Sequence, residues 1–323
     1  MRIIALLPVK NEAWVLEHTL ACLSGFCDVV LVNDQQSEDA SREIGRRFPK
    51  VVWIDSSESN ICEQARWQLW DVARDYDGTN LIWCSDADEL LSPSRIGAFF
   101  HRAQDALTPG TIIDSLYCHT WNSPARYRSG LGGYAPHYKP VAIVDDRRHD
   151  YDRSRALPLH EERVPIAAGA TRLQVADPPL LHLQWLLPRR SQMRQAWYRC
   201  REWMQQERTS RAINASYSGT LPDWHVPTSP IPAEWLEGLT LPGADVDAQP
   251  TWQQRDILGW FDARGVEFFE PLEIWHVDLL RREFKRRTGR SPRPDRSYRE
   301  PWPVRARSVS RRIFNAAKRA LTP

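Results

Sequence analysis

The sequence predicts an α/β fold: a mostly parallel sheet flanked by helices, with a helical C-terminal extension. Three observations lead there. Four short apolar runs, at residues 3–7, 29–32, 51–54 and 81–84, alternate with amphipathic stretches across the first 106 residues. Runs without polar alternation suit strands covered on both faces. Each run ends in polar residues, and ligands of such sheets sit at the carboxyl ends of the strands.

The elements follow in order. Residues 3–7 form the first strand, and a helix over 11–23 carries Trp14, Leu16, Leu20 and Leu23 on one face. The second strand, 29–32, ends in Asn33-Asp34. Ser37 caps a helix over 38–48. After the strand at 51–54, Asn60 with Glu63 three residues on opens a helix to Tyr76. The strand at 81–84 precedes Ser92-Pro93, the start of a helix to Ala106. Beyond Pro109 the rhythm changes. Strands are expected at 111–120, 140–144 and 180–183, and a loop with Arg126, Tyr127, Arg128 and Tyr134 separates the first two. Pro188 opens a helix to about Glu207, and residues 208–250, rich in Pro, Ser and Gly, suggest a long loop. Helices are expected at 252–264 and 271–287, then a basic linker and a last amphipathic helix over 304–321. The organisation is a domain over 1–207, with a half of alternating strands and helices at 1–106 and a half of changed rhythm at 107–207. A loop and helical extension follows at 208–287, then the basic linker and helix at 288–323.

The 323 residues carry a net charge of +2, so no global charge argues for nucleic acid. The balance is uneven: residues 281–323 hold 15 Lys and Arg against 3 Asp and Glu, whereas the rest holds 28 against 38. That tail and its apolar stripe (Val309, Ile313, Ala316, Ala317, Ala320) suggest peripheral contact with an anionic membrane; the competing view is that the tail folds back on the acidic body. Six cysteines without metal spacing suggest free thiols in a reducing compartment. The first apolar run is too short for a signal peptide, and no run of ~18 apolar residues exists. A cytoplasmic protein is expected, at the inner face of the membrane if the tail binds lipid. No GxGxxG or GxxxxGK[ST] appears, which argues against a dinucleotide or P-loop site.

The chemistry concentrates at Leu81-Ile82-Trp83-Cys84-Ser85-Asp86-Ala87-Asp88-Glu89. Four Asp-x-Asp pairs occur (Asp75/Asp77, Asp86/Asp88, Asp150/Asp152, Asp245/Asp247), but only the second ends an apolar strand and precedes a helix start. In extended backbone its two carboxylates point the same way. They make a hard oxygen site for Mg²⁺ or Mn²⁺, and such a metal neutralises a diphosphate leaving group. Arg66, on the third helix, is placed to reach a phosphate.

Residues 4–12 (Ile-Ala-Leu-Leu-Pro-Val-Lys-Asn-Glu), Val32-Asn33-Asp34 and Asp86-Ala87-Asp88-Glu89 together resemble glycosyltransferase family 2 with a GT-A fold. The segments Pro158-Leu159-His160-Glu161 and Leu180-Leu181-His182 are similar to a subgroup of it. The resemblance implies a metal-dependent, inverting transfer of one sugar from a nucleotide-diphosphate sugar to a hydroxyl of a glycan or lipid-linked acceptor. A processive Q-x-x-R-W motif is not evident, so single-sugar addition is expected. The resemblance further implies that Pro8 and Glu12 bracket the loop at the nucleobase and ribose, and that Asp34 accepts from a base N–H. Asp88 is then the direct metal ligand, Asp86 contacts the ribose or the metal through water, and His182 is a further ligand. A base must take the acceptor's proton. Glu161 and Glu162 both fit, and the sequence does not choose between them. The alternatives are a nucleotidyltransferase on a similar sheet, or a non-catalytic glycan- or nucleic-acid-binding protein that keeps the fold.

Overall fold

The computed structural model describes residues 1–56, 64–130, 134–153, 163–166, 169–223 and 225–299. Glu161, Glu162, the Asn60 cap and the helix expected over 304–321 lie outside them.

Apolar runs at the expected places form β1 (Arg2–Val9), β2 (Val29–Asp34), β3 (Val51–Asp55) and β4 (Asn80–Cys84). Between them run α1 (Leu16–Ser24), α2 (Ser41–Gly45) and α3 (Gln64–Arg74). A strand of two residues, β5 (Glu89–Leu90), leads into α4 (Pro93–Arg102). Then come β6 (Ile112–His119), β7 (Arg126–Arg128), β8 (His137–Val144) and β9 (Arg172–His182). The remainder holds α5 (Pro188–Gln205), α6 (Ser210–Ser216), β10 (Thr228–Pro230), α7 (Trp252–Arg264) and α8 (Asp278–Thr288).

Eight strands form one mixed sheet in the order β3-β2-β1-β4-β8-β6-β9-β5. β3, β2, β1 and β4 are parallel neighbours; β8 enters antiparallel beside β4, β6 and β9 pair in parallel, and β5 closes the edge antiparallel to β9. The class is α/β, with helices flanking the sheet and a helical C-terminal extension. β4 is buried along its whole length, which is why its residues show no polar alternation.

Three departures from the expected elements matter for the site. The first helix begins at Leu16 rather than Asn11, because Asn11 takes the left-handed conformation (φ 54°). Its N–H donates to Ser37 Oγ (2.8 Å) and its Oδ1 accepts from Glu38 N–H (2.7 Å), so it ties the first two strand ends together. The second helix shrinks to five residues, because Ser37 and Glu38 belong to that tie. Residues 208–250 are not one long loop: α6 and β10 lie there, and β10 pairs antiparallel with β7.

The chain divides into two compact units, residues 1–191 with 226–249, and residues 192–225 with 250–323. The first holds the sheet. The second has a helical core of its own, where Trp197, Ile213, Phe261, Phe269, Trp275 and Phe284 are buried together. The five described cysteines are buried thiols. No described helix is long and apolar enough to cross a membrane.

Candidate functional site

Beyond Cys84 the backbone turns. Ser85 N–H still bonds Leu6 C=O (3.1 Å), but Asp86 C=O accepts from Glu89 N–H (3.2 Å) and closes a tight turn over Ala87 and Asp88. Asp86 and Asp88 are therefore not on one extended face as expected, and their carboxylates have different partners.

Asp86 belongs to a buried cluster. Arg66 donates to its Oδ1 (2.7 Å) and Arg163 to its Oδ2. Arg163 also bonds both carboxylate oxygens of Glu89 at 2.5 Å, and Tyr117 OH donates to Glu89 Oε1 (2.6 Å). Asp86 N–H reaches the same Glu89 carboxylate at 3.0 Å. Burial works to raise the Asp86 pKa, but Arg163, then Arg66 and Lys139, outweigh it and hold the carboxyl well below the usual range. Burial likewise opposes the Arg163 charge, and Asp86 and Glu89 keep that guanidinium firmly protonated. Burial, helped by Arg163, pulls the Lys139 ammonium down to about 8 as it lies over the Tyr117 ring.

Asp88 meets the histidine named from sequence. The antiparallel pairing of β5 with β9 sets Glu89 opposite His182, and Asp88 C=O accepts from Leu183 N–H (2.7 Å). His182 Nε2 then lies 3.4 Å from Asp88 Oδ1, and both residues are at least nine-tenths buried. The other ring nitrogen of His182 lies 3.0 Å from Nδ1 of His119, its register partner on β6. Burial, then His182, pushes the His119 pKa down to about 2, so His119 is a neutral imidazole at neutral pH.

The other sequence-named residues line the same edge, since β1, β2 and β4 run in one direction. Pro8 lies inside β1, opposite Asn33, rather than in the loop after it. Asp34 ends β2 opposite Val9, is 6% exposed, and accepts from Ser37 N–H (3.0 Å). Glu12 N–H donates to Ser41 Oγ (3.1 Å), and its carboxylate accepts from Trp14 Nε1. Arg66, expected at a phosphate, donates to Asp86 Oδ1. Four residues of this neighbourhood had no role assigned from sequence: Glu89, Tyr117, His119 and Arg163. One signal was present for two of them. The alternation of the strand expected over 111–120 puts Tyr117 and His119 on one face at its carboxyl end.

The donor set can be tested against a divalent metal. Among the described residues no group of three or more His, Cys, Asp or Glu gathers to hold an ion. Asp88 and His182 supply two donors, a carboxylate oxygen and an imidazole nitrogen, 3.4 Å apart. A cation held by one or two protein ligands and completed by substrate phosphates and water needs no more, and the mixed oxygen and nitrogen set suits Mn²⁺ at least as well as Mg²⁺.

No family model matches the chain, and no curated protein does. Among solved structures it is similar to S. aureus TarS 1-349 in complex with UDP, at 15% identity and a TM-score of 0.27, over 41% of this chain and 38% of that one. It is similar to a 4-diphosphocytidyl-2C-methyl-D-erythritol synthase at 18% identity and a TM-score of 0.32, over 44% of this chain and 75% of that one. A further structure of S. aureus TarS 1-349 matches over 87% of this chain and 83% of that one, at 11% identity and a TM-score of 0.36.

Proposed function

We propose that the chain is a GT-A glycosyltransferase that inverts the anomeric centre while moving one sugar from a nucleotide-diphosphate sugar to a hydroxyl of a glycan or lipid-linked acceptor. The observation that carries this reading is the Asp88–His182 pair, buried beside the carboxyl end of β4 on the same sheet edge as Asp34. Asp88 and His182 would hold Mn²⁺ or Mg²⁺, which when bound neutralises the diphosphate as it leaves. Asp86, fixed by Arg66 and Arg163 and still 39% exposed at its side chain, offers a charged acceptor to the ribose. Asp34 accepts from a base N–H, with Pro8 and Glu12 beside it.

Glu161 or Glu162 takes the proton of the acceptor hydroxyl as its oxygen attacks the anomeric carbon, and the bond to the diphosphate breaks on the opposite face. Support for this segment comes from its successor, Arg163, which is anchored in the Asp86–Glu89 cluster. The basic residues beyond 300 would bring the enzyme to an anionic membrane surface, at its cytoplasmic face.

The test is sugar release and transfer from UDP-, GDP- and dTDP-sugars in Mn²⁺ buffer by wild type, Asp88→Ala, Glu161→Gln and Glu162→Gln. Asp88→Ala abolishes turnover while remaining folded. One of the two glutamine variants loses about 10²-fold or more in rate with donor binding intact. Full turnover by folded Asp88→Ala rejects the reading, and full turnover by both glutamine variants moves the base elsewhere.

A further inference from the structure

The segment between β6 and β8 carries a cation without an acid. The Arg128 guanidinium carbon lies 4.9 Å from the ring centre of Trp121 and 4.7 Å from that of Tyr134, so two aromatic rings contact it. Its Nη1 is buried and has no hydrogen-bond acceptor, and no carboxylate pairs with it among the described residues. Burial pulls its pKa down, and only the Tyr134 phenol works the other way. Arg126, two residues earlier, is exposed and is satisfied by Thr228.

The surroundings are built rather than accidental. Trp185 packs against Trp121 (5.3 Å between ring centres) and edge-on to Tyr134 (5.5 Å), and its own Nε1 is buried without an acceptor. Tyr134 in turn meets His119 (5.4 Å), whose Nδ1 contacts His182. The cation thus lies one ring beyond the histidine pair. A guanidinium nitrogen removed from water without an acceptor is destabilising, and a ligand oxygen is what would satisfy it.

We propose that Arg128, flanked by Trp121 and Tyr134, is a binding site for an anionic group, a phosphate or carboxylate, of a ligand that rests against these rings. The guanidinium fork matches either oxyanion in two-point geometry, and the aromatic faces suit a sugar ring carrying it. Two sources share this chemistry: the diphosphate of the nucleotide, and an acidic sugar of the acceptor. The anion site stands on the surroundings of Arg128; its use in sugar transfer rests on the function proposed above.

The test is made on the full chain in EDTA, so that it does not depend on metal at Asp88 and His182. Sodium pyrophosphate represents the first source and a glucuronate-containing tetrasaccharide the second, each titrated at fixed ionic strength against chloride. Wild type, Arg128→Met and Arg128→Lys are compared by calorimetric titration and by thermal midpoint. Wild type binds at least one probe, Arg128→Met binds it about tenfold or more weakly, and Arg128→Lys recovers part of the loss. Without probe, Arg128→Met melts no lower than wild type, since it removes a guanidinium whose buried Nη1 has no acceptor. A response to pyrophosphate alone assigns the site to the nucleotide, and one to the glucuronate alone to the acceptor. The proposal is overturned if neither probe binds wild type, if Arg128→Met binds both equally well, or if Arg128→Met without probe melts clearly lower, which marks a purely structural clamp.

Discussion

Among single residues, His119 and His182 stand out: their Nδ1 atoms lie 3.0 Å apart, within hydrogen-bond distance. One ring must donate and the other accept. When His182 donates through Nδ1–H to the neutral His119, its Nε2 keeps a lone pair toward Asp88, the form a metal ligand requires. His119 is then a positioning residue. His119→Phe keeps the packing against Tyr117 and Tyr134 but removes the acceptor, and Mn²⁺ affinity read by electron paramagnetic resonance should fall about 10- to 100-fold. His119→Asn, which retains an acceptor, should recover much of it. Equal affinity in wild type and His119→Phe contradicts this role. Asp88 and His182 were legible in the sequence because each ends an apolar run. His119 was not, because only the β6–β9 register brings it opposite His182.

At the scale of the element, β5 decides the site's geometry, and two residues are too few for any periodicity to show. Its pairing with β9 turns Glu89 inward, where the side chain has no exposure and is neutralised by Arg163. Arg163→Met leaves that carboxylate buried and uncompensated. Urea unfolding should show a loss of about 3–5 kcal/mol, with much of it recovered in the double variant Arg163→Met/Glu89→Gln. A loss below about 1 kcal/mol would show that the cluster contributes little to the fold.

The segment after α8 is held by acidic partners. Its charge was plain in the sequence, but where its acidic partners lie was not. Arg290 pairs with Glu267 (3.0 Å) and Glu270, Arg296 with the buried Glu273 (2.8 Å), and Arg299 with Asp223 (2.7 Å). Asp295 N–H donates to Pro271 C=O (2.9 Å), while its own C=O accepts from Asn214 (2.9 Å). The described part of the basic segment therefore folds onto acidic residues of its own unit. A chain ending at 287 should lose about 2 kcal/mol or more of stability, chiefly from Glu273 and the Asp295 backbone, since exposed ion pairs each contribute only about 0.2–1 kcal/mol. A chain ending at 299 keeps these contacts and should melt above the chain ending at 287. Equal thermal midpoints for the two truncations would contradict this.

At the scale of the whole molecule, the first four strands and the α/β class were legible because buried parallel strands are continuous apolar runs. The mixed half of the sheet was less so. β9 runs from Arg172, yet exposed Arg172, Ala176 and Asp177 dilute its pattern, and only its buried end from Leu180 read as a strand. β7 and β10, three residues each, are defined by pairing with each other rather than by their own sequence. The proposed function requires one edge of this sheet to bind a nucleotide diphosphate through a metal on Asp88 and His182. A ligand that binds only the folded chain adds about 2.7 kcal/mol at a concentration 100 times its dissociation constant, so thermal midpoints with UDP, GDP, CDP and dTDP, with and without Mn²⁺, measure it directly. At least one nucleotide should raise the midpoint of wild type only when Mn²⁺ is present, and should leave Asp88→Ala unmoved. No shift with any nucleotide in Mn²⁺, or the same shift in Asp88→Ala as in wild type, would contradict it.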